Sequence, residues 1–196
     1  MHPNKIKMIY QSQQLLNEMK ERTEGIIQTV ESQFIPLPLE SLNWKATETS
    51  WSILECLEHL NRYGVYYLPV LKKKIKPSKP IQSSTEFKCG WLGNYFAEMM
   101  LPPTGAIKPM ATLKSMNPNG SSLDISILHT FLDQQKEWLK LIETARKSDL
   151  QGIRLPISVT KWIRLKLGDT FRFNIYHNQR HIIQAEKVLE NLGNTV

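Results

Sequence analysis

The sequence predicts an all-α protein, a four-helix bundle with a long irregular connection between its second and third helices. Two observations carry this expectation. Four long segments place apolar residues at three- and four-residue steps, the period of an amphipathic helix. The segments between them are irregular or punctuated by proline and glycine, and the one partly alternating stretch is interrupted by Pro156. Four amphipathic helices bury their stripes most simply against one another, which makes a bundle.

The first helix spans residues 6–34, with Ile6, Ile9, Leu15, Leu16, Met19, Ile26, Ile27, Val30 and Phe34 on its apolar side; Pro36 and Pro38 end it. The second begins at Ser52, because Ser52-Ile53-Leu54-Glu55 has the form in which the Ser and Glu side chains satisfy each other's free backbone amides. It runs to about Lys76, with Pro69 a kink or early stop. Residues 77–120 form the long connection, marked by Pro102-Pro103, Gly105, Pro109 and Pro118-Asn119-Gly120, with a short helix only at 91–101. The third helix covers 122–147 through Ile125, Leu128, Phe131, Leu132, Trp138, Leu139 and Ile142. Residues 152–167 alternate in part (Ile153, Leu155, Ile157, Val159) but hold Pro156, and read as an extended connector. The fourth helix starts at Asp169, an N-cap after Gly168, and stops at Gly193.

A chain of 196 residues, 41% hydrophobic and 22% charged, can bury one core, so residues 1–196 are expected to form a single domain. No apolar run is long enough for a membrane span, and the polar start of the chain lacks a secretory signal, which points to the cytoplasm. Cys56 and Cys89 make no disulfide framework and are expected as free thiols. The net charge of +7 is compatible with nucleic acid. Its densest run, Lys72-Lys73-Lys74-Ile75-Lys76 followed by Lys79, falls at a predicted helix C-terminus, where cations are favoured anyway, so no nucleic-acid partner is expected.

The chemistry lies in the histidines. His177 and His181 are one helical turn apart, as a metal ion requires when two ligands come from one helix. At about 100° per residue His181 falls roughly 40° from His177, beside the stripe formed by Phe171, Ile175, Ile182, Ala185, Leu189 and Leu192. Arg172, Gln179, Arg180 and Glu186 project to the far side. On the second helix His59 sits in a similar strip with Ser52, Glu55, Tyr63, Tyr66 and Val70. Two such strips facing each other would bring three imidazoles together. Three protein ligands with an open position are the arrangement of a catalytic metal. Glu55 could accept from an imidazole N–H or carry a proton, although its simpler role is the helix cap.

Other readings stay open beside this one. Cys56, three residues before His59, is either a nucleophile paired with it or a small core residue, and the lack of a nearby glycine turn favours the core. Tyr63, Tyr66 and Trp91 read as core or as a pocket wall. His129 projects to solvent. Arg180 suits a salt bridge or a dimer contact.

Trp44, the run Trp51-Ser52-Ile53-Leu54-Glu55-Cys56-Leu57-Glu58-His59-Leu60 and the run His177-Asn178-Gln179-Arg180-His181-Ile182 resemble the DinB-like (DinB/YfiT) superfamily of metalloproteins. The resemblance spans roughly residues 5–192. It implies a four-helix bundle of that type and a divalent metal, commonly zinc or nickel, held by His59, His177 and His181. It also implies a homodimer acting on a small-molecule substrate. Some relatives are thiol-dependent transferases or isomerases using a low-molecular-weight thiol (bacillithiol, mycothiol or glutathione) that the metal activates. The function expected is therefore metal-dependent S-transfer or hydrolysis, with a non-catalytic stress-response or small-ligand binding bundle as the alternative.

Overall fold

The computed structural model describes residues 8–75, 85–102, 110–121 and 123–194. Its elements run β1 (Ile9–Gln11), α1 (Ser12–Thr29), continued by a π-helical turn at Val30–Phe34, α2 (Leu39–Asn43), α3 (Ile53–Lys74), β2 (Glu86–Lys88) and α4 (Trp91–Met100). A 3-10 turn at Lys114–Met116, α5 (Ser126–Ala145), β3 (Arg154–Ile157), β4 (Thr160–Lys166) and α6 (Leu167–Gly193) complete the order. The bundle consists of α1, α3, α5 and α6. Both α5 and α6 pack against α1 and against α3, so α1 stands diagonally across from α3.

The start of α3 follows the sequence closely. The Ser52 hydroxyl accepts from the Glu55 amide at 3.1 Å, and the Glu55 carboxylate accepts from the Ser52 amide at 2.9 Å. Pro69, expected to kink or stop the helix, does not stop it, since α3 continues to Lys74. It lies on the solvent face, as does Val65 one turn earlier, whose freed carbonyl water can satisfy. Lys72, Lys73 and Lys74 occupy the last turn of α3, where the helix dipole favours them. Lys76, Lys79, Ile6 and the expected third-helix start at Ser122 lie outside the described residues.

The all-α expectation is only approximate, because two small antiparallel sheets are present. Residues expected as the first turn of the opening helix form β1, which pairs with β2 in the register Ile9↔Lys88, Tyr10↔Phe87 and Gln11↔Glu86. The buried Phe87 ring explains this placement: it lies so close to Gly168 that a Cβ there would stand 2.7 Å from its Cζ. Gly168 thus serves close approach of β2 to α6. The expected connector at 152–167 is the β3–β4 hairpin, with Leu155, Ile157 and Leu165 buried. Pro156 is tolerated in this two-stranded ribbon, where the register shifts beside it.

Two further expectations for α6 are corrected. The helix begins at Leu167, and Asp169 in its first turn caps another helix: its carboxylate accepts the amide of Gly90, the N-cap residue of α4, at 2.8 Å. Arg172, projected onto the outer side, is completely buried because α4 covers that face of α6. Its guanidinium donates to Asn94 Oδ1 at 2.8 Å, Cys89 Sγ at 3.1 Å and Glu98 Oε1 at 2.9 Å, with the Tyr10 ring centroid 4.8 Å away. One arginine therefore ties β1, the chain after β2 and α4 to α6.

The apolar core falls into two clusters along the bundle. One gathers Tyr67, Leu71, Phe171 and Ile175 with α1, α5 and the small sheets; the other gathers Cys56, Leu57, Leu60, Ile182 and Ala185 with the far halves of the helices. Between them lies a buried polar layer of His59, Asn61, Gln135, His177 and Asn178, in which Asn178 donates to Gln135 at 3.1 Å.

Arg172→Ala is expected to lower the unfolding free energy by roughly 3–5 kcal/mol, because it strands Asp169 and Glu98 without their cation. Ser52→Ala should cost about 1 kcal/mol. Urea denaturation of the two variants checks both values.

Candidate metal centre

Helix α3 brings His59 into the polar layer and α6 brings His177 and His181. The two helices run antiparallel, with Trp51 against His181, His59 against His177, and Tyr67 against Phe173. Their ligand nitrogens all lie within 4.8 Å of one another, and the Nε2 atoms of His59 and His177 are 3.2 Å apart. Two nitrogens bound at 2.0–2.1 Å to one tetrahedral zinc stand roughly 3–3.5 Å apart, so this pair matches that spacing.

The far nitrogens decide which tautomer each ring adopts. His59 Nδ1 is 2.7 Å from the carbonyl of Met116, and His181 Nδ1 is 2.9 Å from Oε1 of Gln184. Both partners are acceptors, so each Nδ1 must carry the proton and each Nε2 keeps its lone pair free for the centre. His177 Nδ1 is buried without a partner; its ring lies between Tyr63, centroid 4.6 Å away, and Phe173, stacked at 5.9 Å. Trp51 closes the other end over His59 at 4.8 Å and His181 at 5.6 Å.

Burial holds all three imidazoles neutral. It pushes His59 from 6.5 down to about 4, with Arg62 adding to the fall and the Met116 hydrogen bond opposing it. His181 is pushed down to about 3 by burial and by His59. His177 lies well below its usual value through burial and its two histidine neighbours. Neutral imidazole is the form that binds metal, so the donor set fits a divalent ion.

A strap at 113–120 crosses this end of α3, held by three residues of one helix face. Glu55 accepts the Gly120 amide at 2.9 Å and pairs with Lys45 at 3.1 Å; His59 meets Met116; Arg62, paired with Glu58, donates to the carbonyl of Asn117 at 2.9 Å. Glu55, the candidate partner of the imidazoles, is hydrogen-bonded to its own helix cap and to this strap, and no hydrogen bond joins it to a histidine among the described residues. Its influence on His59 runs through the strap.

The remaining candidates separate clearly. Cys56 is a buried core residue whose thiol burial pushes up, which makes it a poor nucleophile. Tyr63 borders two imidazoles, whereas Tyr66 donates to the Ile157 carbonyl in the hairpin at 2.9 Å and Trp91 is 80% exposed. His129 is exposed, as expected. Arg180 is buried rather than outward-facing. Sequence reasoning missed Phe173 and the Met116 carbonyl; a backbone carbonyl leaves no trace in residue identity. Gln184, three residues after His181 on the same helix, is the partner of His181.

A family profile described as the DinB superfamily matches residues 22–185. Among solved structures the fold is similar to that of YfiT from Bacillus subtilis, described as "a probable metal-dependent hydrolase with an unusual four-helix bundle topology". The TM-score is 0.53 and the identity 15%, over 98% of this chain and 93% of that one, so the likeness concerns the fold. No curated protein matches the chain in sequence.

The depressed histidines set a pH dependence for the metal-free protein. Between pH 6.5 and about 4 the unfolded chain binds protons that folded His59 refuses, so its stability contribution is complete above pH 6.5 and lost as pH falls through that window. The loss from His59 is on the order of 3 kcal/mol. In EDTA, the urea midpoint is expected to drop from pH 7 to pH 4, and to drop less in His59→Leu.

Proposed function

We propose, on the premise that this chain belongs to the DinB superfamily, that it is a metal-dependent enzyme whose divalent ion, zinc or nickel, is held by His59, His177 and His181. The observation that carries the reading is the convergence of three neutral imidazoles, two buried and His181 partly so, two of them with Nε2 freed by a hydrogen bond at Nδ1. Such an ion supplies Lewis acidity, lowering the pKa of a water or thiol nucleophile. Three neutral ligands leave its full charge in place, which carboxylate or thiolate ligands would partly cancel.

The chain's own residues do the rest. Met116 and Gln184 hold the tautomers of His59 and His181, and the strap fixed by Glu55 and Arg62 keeps the Met116 carbonyl in position. Trp51, Tyr63 and Phe173 exclude bulk water from the imidazoles, which strengthens electrostatics within the site. No carboxylate belongs to the cluster among the described residues, so none of its side chains offers a general base, and an ion held there would supply the activation of the nucleophile. Hydrolysis of a small-molecule substrate is the reading we favour, with a low-molecular-weight thiol as the competing nucleophile. The reading places the protein in the cytoplasm as a homodimer without nucleic-acid or membrane partners. Among the described residues no helix is long and apolar enough to cross a membrane.

Protein purified without a tag is expected to carry one equivalent of divalent metal by elemental analysis, and His177→Ala to lose it while remaining folded. Gln184→Leu should weaken metal binding by about 10–100-fold, the usual cost of removing the partner of a ligating histidine. Turnover of an ester and amide panel without added thiol supports hydrolysis; turnover only with thiol supports transfer. Metal-loaded protein inert on both would be a binding module.

A further inference from the structure

The β3–β4 hairpin is built in on one side and open on the other. On the inner side Leu155, Ile157 and Leu165 are buried, Tyr66 donates to the Ile157 carbonyl, and the Tyr67 hydroxyl accepts the Ser158 amide at 3.1 Å. The ribbon is thereby fixed to α3. Its charge is of one sign. Residues 150–168 hold Arg154, Lys161, Arg164 and Lys166 and no carboxylate, and among the described residues none of these cations forms an ion pair. Arg154 even stands directly opposite Lys166, a like-charge cross-strand pair that costs stability. The Lys166 ammonium donates to the Lys88 carbonyl and to Gln151, both at 2.7 Å, and these neutral acceptors leave its charge uncancelled.

The ladder shows which backbone groups are free. The Leu167 amide donates to the Ile153 carbonyl at 2.9 Å, so the hydrogen-bonded pairs are Ile153–Leu167 and Leu155–Leu165, with Arg154–Lys166 and Pro156–Arg164 the other kind. Pro156 thus stands where the ladder needs no donor, and the amide and carbonyl of Arg164 point away from β3. Among the described residues β4 pairs with β3 alone, so that edge is open. Beside Arg164 the register passes from Pro156↔Arg164 to Ile157↔Thr160, which leaves Lys161, Trp162 and Ile163 without a cross-strand partner. Trp162, in the middle of this bulge, is 94% exposed. Charges on an edge strand ordinarily guard it against pairing with another chain. An exposed indole does not, and Trp with Arg is the combination on which protein interfaces concentrate their binding energy.

We infer that the open edge of β4 is a docking site for an acidic, extended segment of another protein, which adds as a third strand beside Arg164 and packs against Trp162. The Arg164 backbone holds the strand, the cations select carboxylates, and Trp162 is the apolar anchor. A second copy of this chain would bring the same cations to the same edge, and it carries +7 itself. A lipid surface would meet the cations but offer the Arg164 amide and carbonyl no matching row of backbone groups. None of these residues belongs to the metal centre, so the docking site does not depend on that reading.

The test uses the full chain and three short dye-labelled peptides: one alternating valine and glutamate, one alternating valine and lysine, and the glutamate form with a central proline. By fluorescence anisotropy the glutamate peptide is expected to bind about tenfold or more tightly than either of the others, since lysine reverses the charge and proline removes a strand donor. Arg164→Glu and Trp162→Ser, both at exposed positions, should each weaken it about tenfold with the circular dichroism unchanged. Hydrogen exchange at the Arg164 amide should slow by about tenfold or more when the peptide is bound. No binding of the glutamate peptide at about 1 mM would overturn the inference. So would equal binding of the three peptides, variants that bind as the parent does, or an Arg164 amide that exchanges as fast with the peptide as without it. Binding of phosphatidylserine vesicles or single-stranded DNA in place of the peptide would overturn it too, and give the cations to lipid or nucleic acid.

Discussion

The antiparallel contact between α3 and α6 at His59 and His177 is the constraint around which the molecule is arranged. It places imidazole against imidazole, Nε2 atoms 3.2 Å apart, in the middle of a bundle that is apolar on either side. Burying three polar rings costs free energy unless their nitrogens find partners. Two of the outer nitrogens do so, through Met116 and Gln184, and the inner ones face a common point. Desolvation keeps the rings uncharged, so the feature that makes this layer costly also keeps it competent to bind a cation.

Much of the structure outside the four helices steadies that layer. Helix α6 carries two of the three histidines, and its N-terminal half is clasped by Arg172, by Asp169 capping α4 and by the approach of Phe87 to Gly168. On α3 the strap at 113–120 is tied by Glu55, His59 and Arg62, so one of the expected metal ligands is also one of the strap's anchors. Order in the strap and orientation of His59 are thereby coupled: displacing the Met116 carbonyl removes the acceptor that fixes the ring's tautomer.

The aromatic rings add a second use of the same geometry. They pack against the imidazoles while staying partly exposed themselves. Shielding raises the strength of any charge placed at the centre.

The local signals in the chain settled a good deal. The Ser52–Glu55 box, the spacing of His177 and His181, and the apolar periods of four long helices were readable because each depends on residues within one or two turns. So was the strip that put His59 and Tyr63 on one side of α3. What tertiary structure alone decided involves partners far away in sequence. Arg172 was projected onto an outward face and proves buried, because helical periodicity cannot know that α4 will cover it. Asp169 looked like the cap of its own helix and caps another; β1 forms because Phe87, more than seventy residues on, offers it an edge. Sequence thus specified which side chains could meet at the centre. The packing of α3 on α6, with a backbone carbonyl from the strap behind His59, decided that they do, because imidazole tautomer and burial are set by neighbours that no local pattern encodes.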